Sequence, residues 1–273
     1  MDIAISKNGR RSLVTFFALL VAFIYLPLVM IVIFSFNDSN IPAFPLEGFT
    51  LHGYEQFASN PELKASLVTS AKVAVLSSAG SVALGMLAAI ALIRRRFFGK
   101  PAVSALLMSP LVIPYIVFAI ALLILFTQIH VELSMWTLVI GHIVVAIPFM
   151  ILVLGPRLQR IDARLEEAAQ DLGAGALRTF RSITLPLMMP AVVSAFLIAF
   201  VASFDEIVIA QFVAGSSVTF PLYLYSQLRF PELLPQILAV ATIVFISSLV
   251  VILLTEIGRR IAERRLNVEV EGG

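Results

Sequence analysis

Polar residues are so sparse along this chain that they punctuate it. Between them run six apolar stretches, at about residues 13–35, 67–93, 102–126, 133–155, 187–213 and 236–257. At 1.5 Å per residue each is long enough to cross roughly 30 Å of hydrocarbon, so six membrane-spanning helices are predicted. Two connections exceed a turn. The first, 36–66, carries Asp38, Glu47, Glu55 and Glu62 among scattered Pro and Gly and reads as a folded cap or docking surface. The second, 156–186, is the most polar region of the chain. In it Leu165, Ala168, Ala169, Leu172 and Ala176 recur at helical spacing and form one apolar stripe, with Arg164, Glu166, Glu167 and Asp171 around the rest of the circumference. Gly173 and Gly175 interrupt this helix, and a second short segment carries Arg178 and Arg181 down to Pro186. The result is a compact helix–elbow–helix knob. Periodicity alone equally allows an amphipathic helix lying on lipid headgroups.

The charges orient the spans, because basic residues in short loops mark the cytoplasmic side. Of the 19 Lys and Arg residues, all but Lys64, Lys72 and Arg229 fall before the first stretch, between the second and third, between the fourth and fifth, or after the sixth. Both termini are therefore expected in the cytoplasm. The first stretch follows Lys7, Arg10 and Arg11, but its apolar run is longer than a signal-peptide core and no small-residue cleavage site follows, so it reads as a retained span. Composition agrees: 60% of the 273 residues are hydrophobic and 13% charged, which excludes both a water-soluble globule and a disordered chain.

Several chemistries are excluded. With no cysteine there are no disulfides, thiolate nucleophiles or Cys-ligated metals. The only Gly-Lys pair, Gly99-Lys100, is followed by Pro101 and lacks the upstream glycine of a phosphate-binding loop. His52, His130 and His142 are scattered, each without a helically spaced partner, so the spacing offers no Ser–His–Asp or metal set. The chain is read as a non-enzyme with no cofactor of its own and no nucleic-acid partner.

The spelling of the 156–186 knob decides between its two readings. Glu167, Ala168, Ala169, Gly173, Ile183, Leu185 and Pro186 stand at the spacing of the EAA signature. This resembles the permease subunits of bacterial ATP-binding-cassette importers, without a departure in the motif. Residues 66–93 with Arg94-Arg95-Arg96-Phe97-Phe98-Gly99, and Ser109-Pro110-Leu111-Val112-Ile113-Pro114, look like that family's second and third spans, so the resemblance extends from about 48 to 258. Gly48-Phe49-Thr50-Leu51 with Tyr54, His142 before Pro148, and Ser203-Phe204-Asp205-Glu206 are most similar to its spermidine/putrescine branch, although branches for opines, other amines and phosphonates look much alike. The resemblance implies an all-α, six-helix, type I importer permease in the bacterial inner membrane. Residues 1–12 and 258–273 would be cytoplasmic tails, 13–35 the first span, 36–66 an extracytoplasmic loop, and 67–257 the transmembrane core. It further implies a second permease subunit, two ATPase subunits that carry ATP and Mg and dock on 156–186, and an extracytoplasmic substrate-binding protein.

Asp205 and Glu206 lie deep in the fifth stretch, where an acid costs at least about 2.5–3.5 kcal/mol at a helix centre and so faces a cavity or a partner. On a continuous helix Glu206 shares a stripe with Ala195, Ala199, Ala202 and Ala210, while Asp205 lies among Ile198, Val201, Val208 and Ile209. Either acid could border a path for a cationic substrate such as a polyamine. Both could instead form an internal pair with Lys72 or bond to His142. His142 itself reads as a satisfied structural histidine, with a gate or proton relay as the alternative. Pro110, Pro114, Pro148, Pro186 and Pro190 shape packing or hinge the spans, and Trp136 anchors an interface. Two rival functions remain: an ion-gradient-driven secondary transporter using Asp205 or Glu206, and a channel or scaffold whose knob only recruits a soluble protein.

Overall fold

A computed structural model describes residues 7–250 and Leu253. In chain order the helices are α1 (Lys7–Phe34), α2 (His52–Ser59), α3 (Pro61–Arg94), α4 (Lys100–Met108), α5 (Tyr115–Gln128), α6 (Met135–Arg160), α7 (Ala163–Asp171), α8 (Ala176–Thr179), α9 (Leu185–Phe204), α10 (Val208–Val213), α11 (Phe220–Gln227) and α12 (Pro231–Val250). Among the described residues there is no sheet, only one isolated bridge between Asn37 and Phe49. The chain forms two compact units. One is Glu62–Ser226, and the other comprises the segments up to Pro61 and from Gln227 onward.

In the second of these units α1 buries none of its side chains. Leu13, Phe16, Phe17 and Phe23 are all exposed, so the medium that covers this helix is apolar. The following segment folds back on itself as a small cap. Thr50 donates its backbone N–H to the Phe36 carbonyl at 2.9 Å, and Asp38 to that of Gly48 at 3.2 Å. The Phe36 ring stacks on Phe49 at 5.3 Å and packs against Tyr54 at 5.2 Å. Asn60 then donates from Nδ2 to Oε1 of Gln236, near the start of α12, at 3.0 Å.

The Glu62–Ser226 unit is built along α3 and α6. One face of α3 carries Ser70, Ala74, Ser77, Ser78, Ser81, Gly85 and Ala89, all buried, and this small-residue stripe lets neighbouring backbones approach. Its hydroxyls cost little to bury because they return to their own helix: Ser77 and Ser78 donate to the Ala74 carbonyl and Ser81 to that of Ser78. Val82, Met86 and Ala89 of α3 pack with Met150 and Leu154 of α6 and Met188, Ala195 and Ala199 of α9. A second cluster joins Val73 of α3, Leu122 and Phe126 of α5, Leu138 and Val145 of α6, and Ile209 and Val213 of α10.

Two of the six stretches are not single straight helices. Within the third, expected over 102–126, the chain passes from α4 through a tight 3₁₀ turn, Ser109–Leu111, into α5 with a bend of 107°. Pro110 and Pro114 supply no N–H to the helix ladder, and Pro114 itself is extended. The fifth, expected over 187–213, stops at Phe204, and α10 resumes only at Val208. Among the described residues five helices are long and apolar enough to cross a membrane, six if the bent pair counts as one span. Other boundaries shift outward: α3 begins at Pro61, so Lys64 lies on a helix and the loop before it ends near residue 60. The expected tail 258–273, its four arginines and most of the last span beyond Val250 lie outside the described residues, as does the start of the N-terminal tail.

The α3–α6 approach yields a test. A Cβ on Gly85 would fall on the Cβ of Met150, an atom that cannot swing away, whereas one on Gly155 meets only the flexible Ile93 Cδ1 at 3.4 Å. Gly85→Ala should cost about 1–3 kcal/mol and lower the thermal unfolding temperature of the detergent-solubilised protein, while Gly155→Ala leaves it nearly unchanged.

Candidate functional site

The knob is assembled from short-range rules. Asp162 caps α7 by accepting the Arg164 N–H at 3.0 Å. The helix ends in a Schellman motif: Gly173 donates to the Gln170 carbonyl at 2.9 Å and Ala174 to that of Ala169 at 3.0 Å. This closure puts Gly173 at φ +86°, a left-handed position that disfavours any side chain. The expected second short segment is instead continuous with the fifth span. α8 passes through a π-turn, Phe180–Thr184, directly into α9. Pro186 has no N–H for the Ser182 carbonyl, and the wider turn just before it relieves that mismatch. Arg157 reinforces the junction, donating from Nε and Nη2 to the Leu187 carbonyl at 3.1 and 3.0 Å.

The apolar stripe of α7 faces outward. Leu172 is 90% exposed, and Leu165 of α7 and Leu177 of α8 are exposed as well. Glu167 and Ala168 are also exposed, and Ala169 is half-buried. Ile183 and Leu185 are half-buried, while Pro186 is exposed. The side of α7 that faces the bundle is held by Glu166, which the motif does not include. Its carboxylate accepts from Thr184 Oγ1 at 2.9 Å and lies 3.5 Å from Nε of Arg94. An exposed apolar patch rimmed by charge is the ordinary signature of an interaction surface.

The second feature is a cavity of about 170 Å³ between α3, α6 and α9, lined by Ser77, Tyr115, His142, Ser203 and Glu206 among apolar neighbours. His142 is 4% exposed. Its Nδ1 is hydrogen-bonded to Ser203 Oγ at 2.6 Å, and that hydroxyl to Ser77 Oγ at 2.8 Å. Its Nε2 lies 3.4 Å from Glu206 Oε2, an ion-pair separation without a hydrogen bond. The fold thus gives His142 partners that sequence spacing did not. The contacts run Ser203–His142–Glu206, with a hydrogen bond at the first link and a 3.4 Å approach at the second.

The helix break separates the fates of the two acids. Because residues 205–207 leave the helix, the shared stripe expected for Glu206 and Ala210 does not exist. Glu206 instead caps α10, accepting from the N–H groups of Val208 at 2.8 Å, Ile209 at 2.9 Å and Ala210 at 3.2 Å. Among the described residues neither acid forms an ion pair with Lys72. Glu206 is half-buried, and Asp205 is exposed. Sequence reasoning gave no site role to Arg94, Glu166, Thr184, Ser77 or Ser203. Arg94, Glu166 and Ser203 stood in segments it singled out, while the only signal for Ser77 and Thr184 was a polar residue within or beside an apolar stretch.

Capping by Glu206 should be measurable. Removing a charged acceptor of three backbone N–H groups costs about 1.5–3 kcal/mol, so Glu206→Ala should lower the unfolding temperature of the purified protein clearly more than Asp205→Ala.

Comparison with known proteins places this architecture. Residues 81–268 match the family described as binding-protein-dependent transport system inner membrane component. The chain is 36% identical over 250 residues to the spermidine/putrescine transport system permease protein PotC of Escherichia coli (strain K12), covering 91% of this chain and 94% of that protein. It is 33% identical to the putrescine transport system permease protein PotI of the same strain, covering 81% of each. A crystal structure of a bacterial ABC transporter involved in the import of the acidic polysaccharide alginate has a chain of similar fold. Its TM-score is 0.71 at 16% identity, over 90% of this chain and 97% of that one. With this match spanning most of its length and long apolar helices throughout, the chain belongs to the binding-protein-dependent transport system inner membrane components, the multi-pass permease subunits of ABC importers.

Proposed function

We propose that this chain forms half of the transmembrane passage of an ATP-driven importer for a small organic cation of the spermidine/putrescine type. In this reading it sits in a bacterial inner membrane with both termini in the cytoplasm. It pairs with a second permease subunit, receives substrate from an extracytoplasmic binding protein, and draws on ATP and Mg held by two ATPase subunits. The observation that carries the reading is the knob. Its EAA signature lies on a short helix whose apolar residues, Leu165, Ala168 and Leu172, are turned away from the bundle. The alanines let a partner surface come close, Gly173 fixes the elbow, and Glu167 offers a charge for a basic group on the ATPase.

The substrate class is supported by the two polyamine permeases that the chain resembles and by the pair of acids at the break of the fifth span. Asp205, exposed, can meet an ammonium group directly. Glu206, tied to α10, adds negative potential to the cavity wall. A unit charge about 4 Å from a carboxylate gains about 4 kcal/mol at an effective dielectric of 20, enough to offset the loss of water around one ammonium only if several such groups share the path.

The test is uptake of labelled spermidine into proteoliposomes holding the assembled importer, with ATP inside and binding protein outside. Uptake should require ATP, and Asp205→Asn should reduce it about tenfold or more, a loss of about 1.5 kcal/mol or more expected for a hydrogen bond to a charged group. Glu167→Arg or Gly173→Asp should release the ATPase from the purified assembly. Spermidine uptake driven by an ion gradient without ATP would overturn the reading in favour of a secondary transporter, and ATP-dependent uptake that ignores polyamines would overturn the substrate class.

A further inference from the structure

The contact that fixes the knob to the bundle lies outside its signature. Arg94 is the last residue of α3, and its side chain is 17% exposed. Its Nη2 donates to the carbonyls of Leu158 at 3.2 Å and Ile161 at 2.8 Å where α6 ends, and the Leu158 carbonyl also accepts the backbone N–H of Ile161 at 3.2 Å. Its Nε faces Glu166 Oε2 at 3.5 Å, and the other oxygen of Glu166 is bound by Thr184, the buried final residue of the π-turn. One connected set of polar contacts therefore joins the end of α3, the end of α6, the inner side of α7 and the root of α9. The covalent links of α7 are weak levers by comparison. Only Ile161 and Asp162 precede it, and the elbow that follows contains Gly173 and Gly175.

We propose that Arg94 and Glu166 are positioning residues that lock the knob to the bundle, so that a displacement of α7 moves α3, α6 and α9 as one body. Without them α7 would pivot on its elbow and the motion would be lost before reaching the spans. This rests on the reading of the knob as the ATPase-docking element. The charge of Glu166 matters more than its bond to Thr184, because Gln at 166 can keep that bond yet leaves Arg94 half-buried without its counter-charge.

The chain contains no cysteine, which makes a cross-linking test clean. In the reconstituted importer, spermidine transported is measured against ATP hydrolysed. Arg94→Gln and Glu166→Gln should each lower transport per ATP on the order of tenfold with the ATPase still bound. The pair Arg94→Cys and Glu166→Cys should behave likewise, and should regain the unaltered ratio when bridged by a short cleavable thiol cross-linker and lose it again on reduction. Three results would overturn the proposal: a ratio within twofold of the unaltered assembly in both Gln variants, release of the ATPase by either variant, or a cross-link that restores nothing. If the unaltered assembly takes up no spermidine with ATP, the importer reading itself falls and the lock with it. Uptake by the unaltered assembly together with any of the three results rejects the lock alone.

Discussion

A polar group buried in an apolar medium has no water to fall back on, so each backbone N–H or carbonyl freed by a helix break must find a partner within the protein. At the break of the fifth stretch and at the end of α6, side chains meet that demand. Glu206 takes the N–H groups of Val208, Ile209 and Ala210 where α10 restarts. Arg94 donates to the Leu158 and Ile161 carbonyls at the end of α6, and Arg157 adds an exposed bond to the Leu187 carbonyl at the root of α9. Even the serines of α3, which make room for close packing, return their hydroxyls to their own helix. Charges in this unit are therefore placed by the geometry of helix ends as much as by any substrate.

This economy explains why the two adjacent acids differ. On a continuous helix they would differ only in which neighbours they face. The break at 205–207 makes Glu206 a capping group, with His142 beside it, and leaves Asp205 exposed. Consecutive residues thereby have different surroundings, one tied to backbone donors and the other free of them. Glu206 keeps the wall of the cavity in shape, and Asp205 is unencumbered by backbone donors.

The knob shows the same division. Glu166 and Glu167 are adjacent on α7, about 100° apart around its axis. Glu166 turns toward Arg94 and Thr184, while Glu167 stands on the outer side with the apolar residues of the signature. One side fastens the element to the bundle, and the other presents it.

The sequence alone was sufficient for the elements whose cause is local. Hydropathy located the long helices, glycine spacing located the elbow at Gly173, and the EAA spelling identified the family. Each depends on residues close together in the chain, where composition and period are the whole signal. It expected both acids within a continuous fifth helix, whereas they stand in the break after Phe204. Only the tertiary structure decided that the third stretch bends by 107°, that the fifth is interrupted at Asp205, and that Glu166 is the inward acid of the knob. Only it could join residues as distant as Ser77 and Ser203, or Arg94 and Glu166. A hydrogen bond or ion pair between remote segments leaves no period in the sequence. A proline records that a backbone donor is missing, but not which way the chain turns or which side chain satisfies the carbonyl left behind.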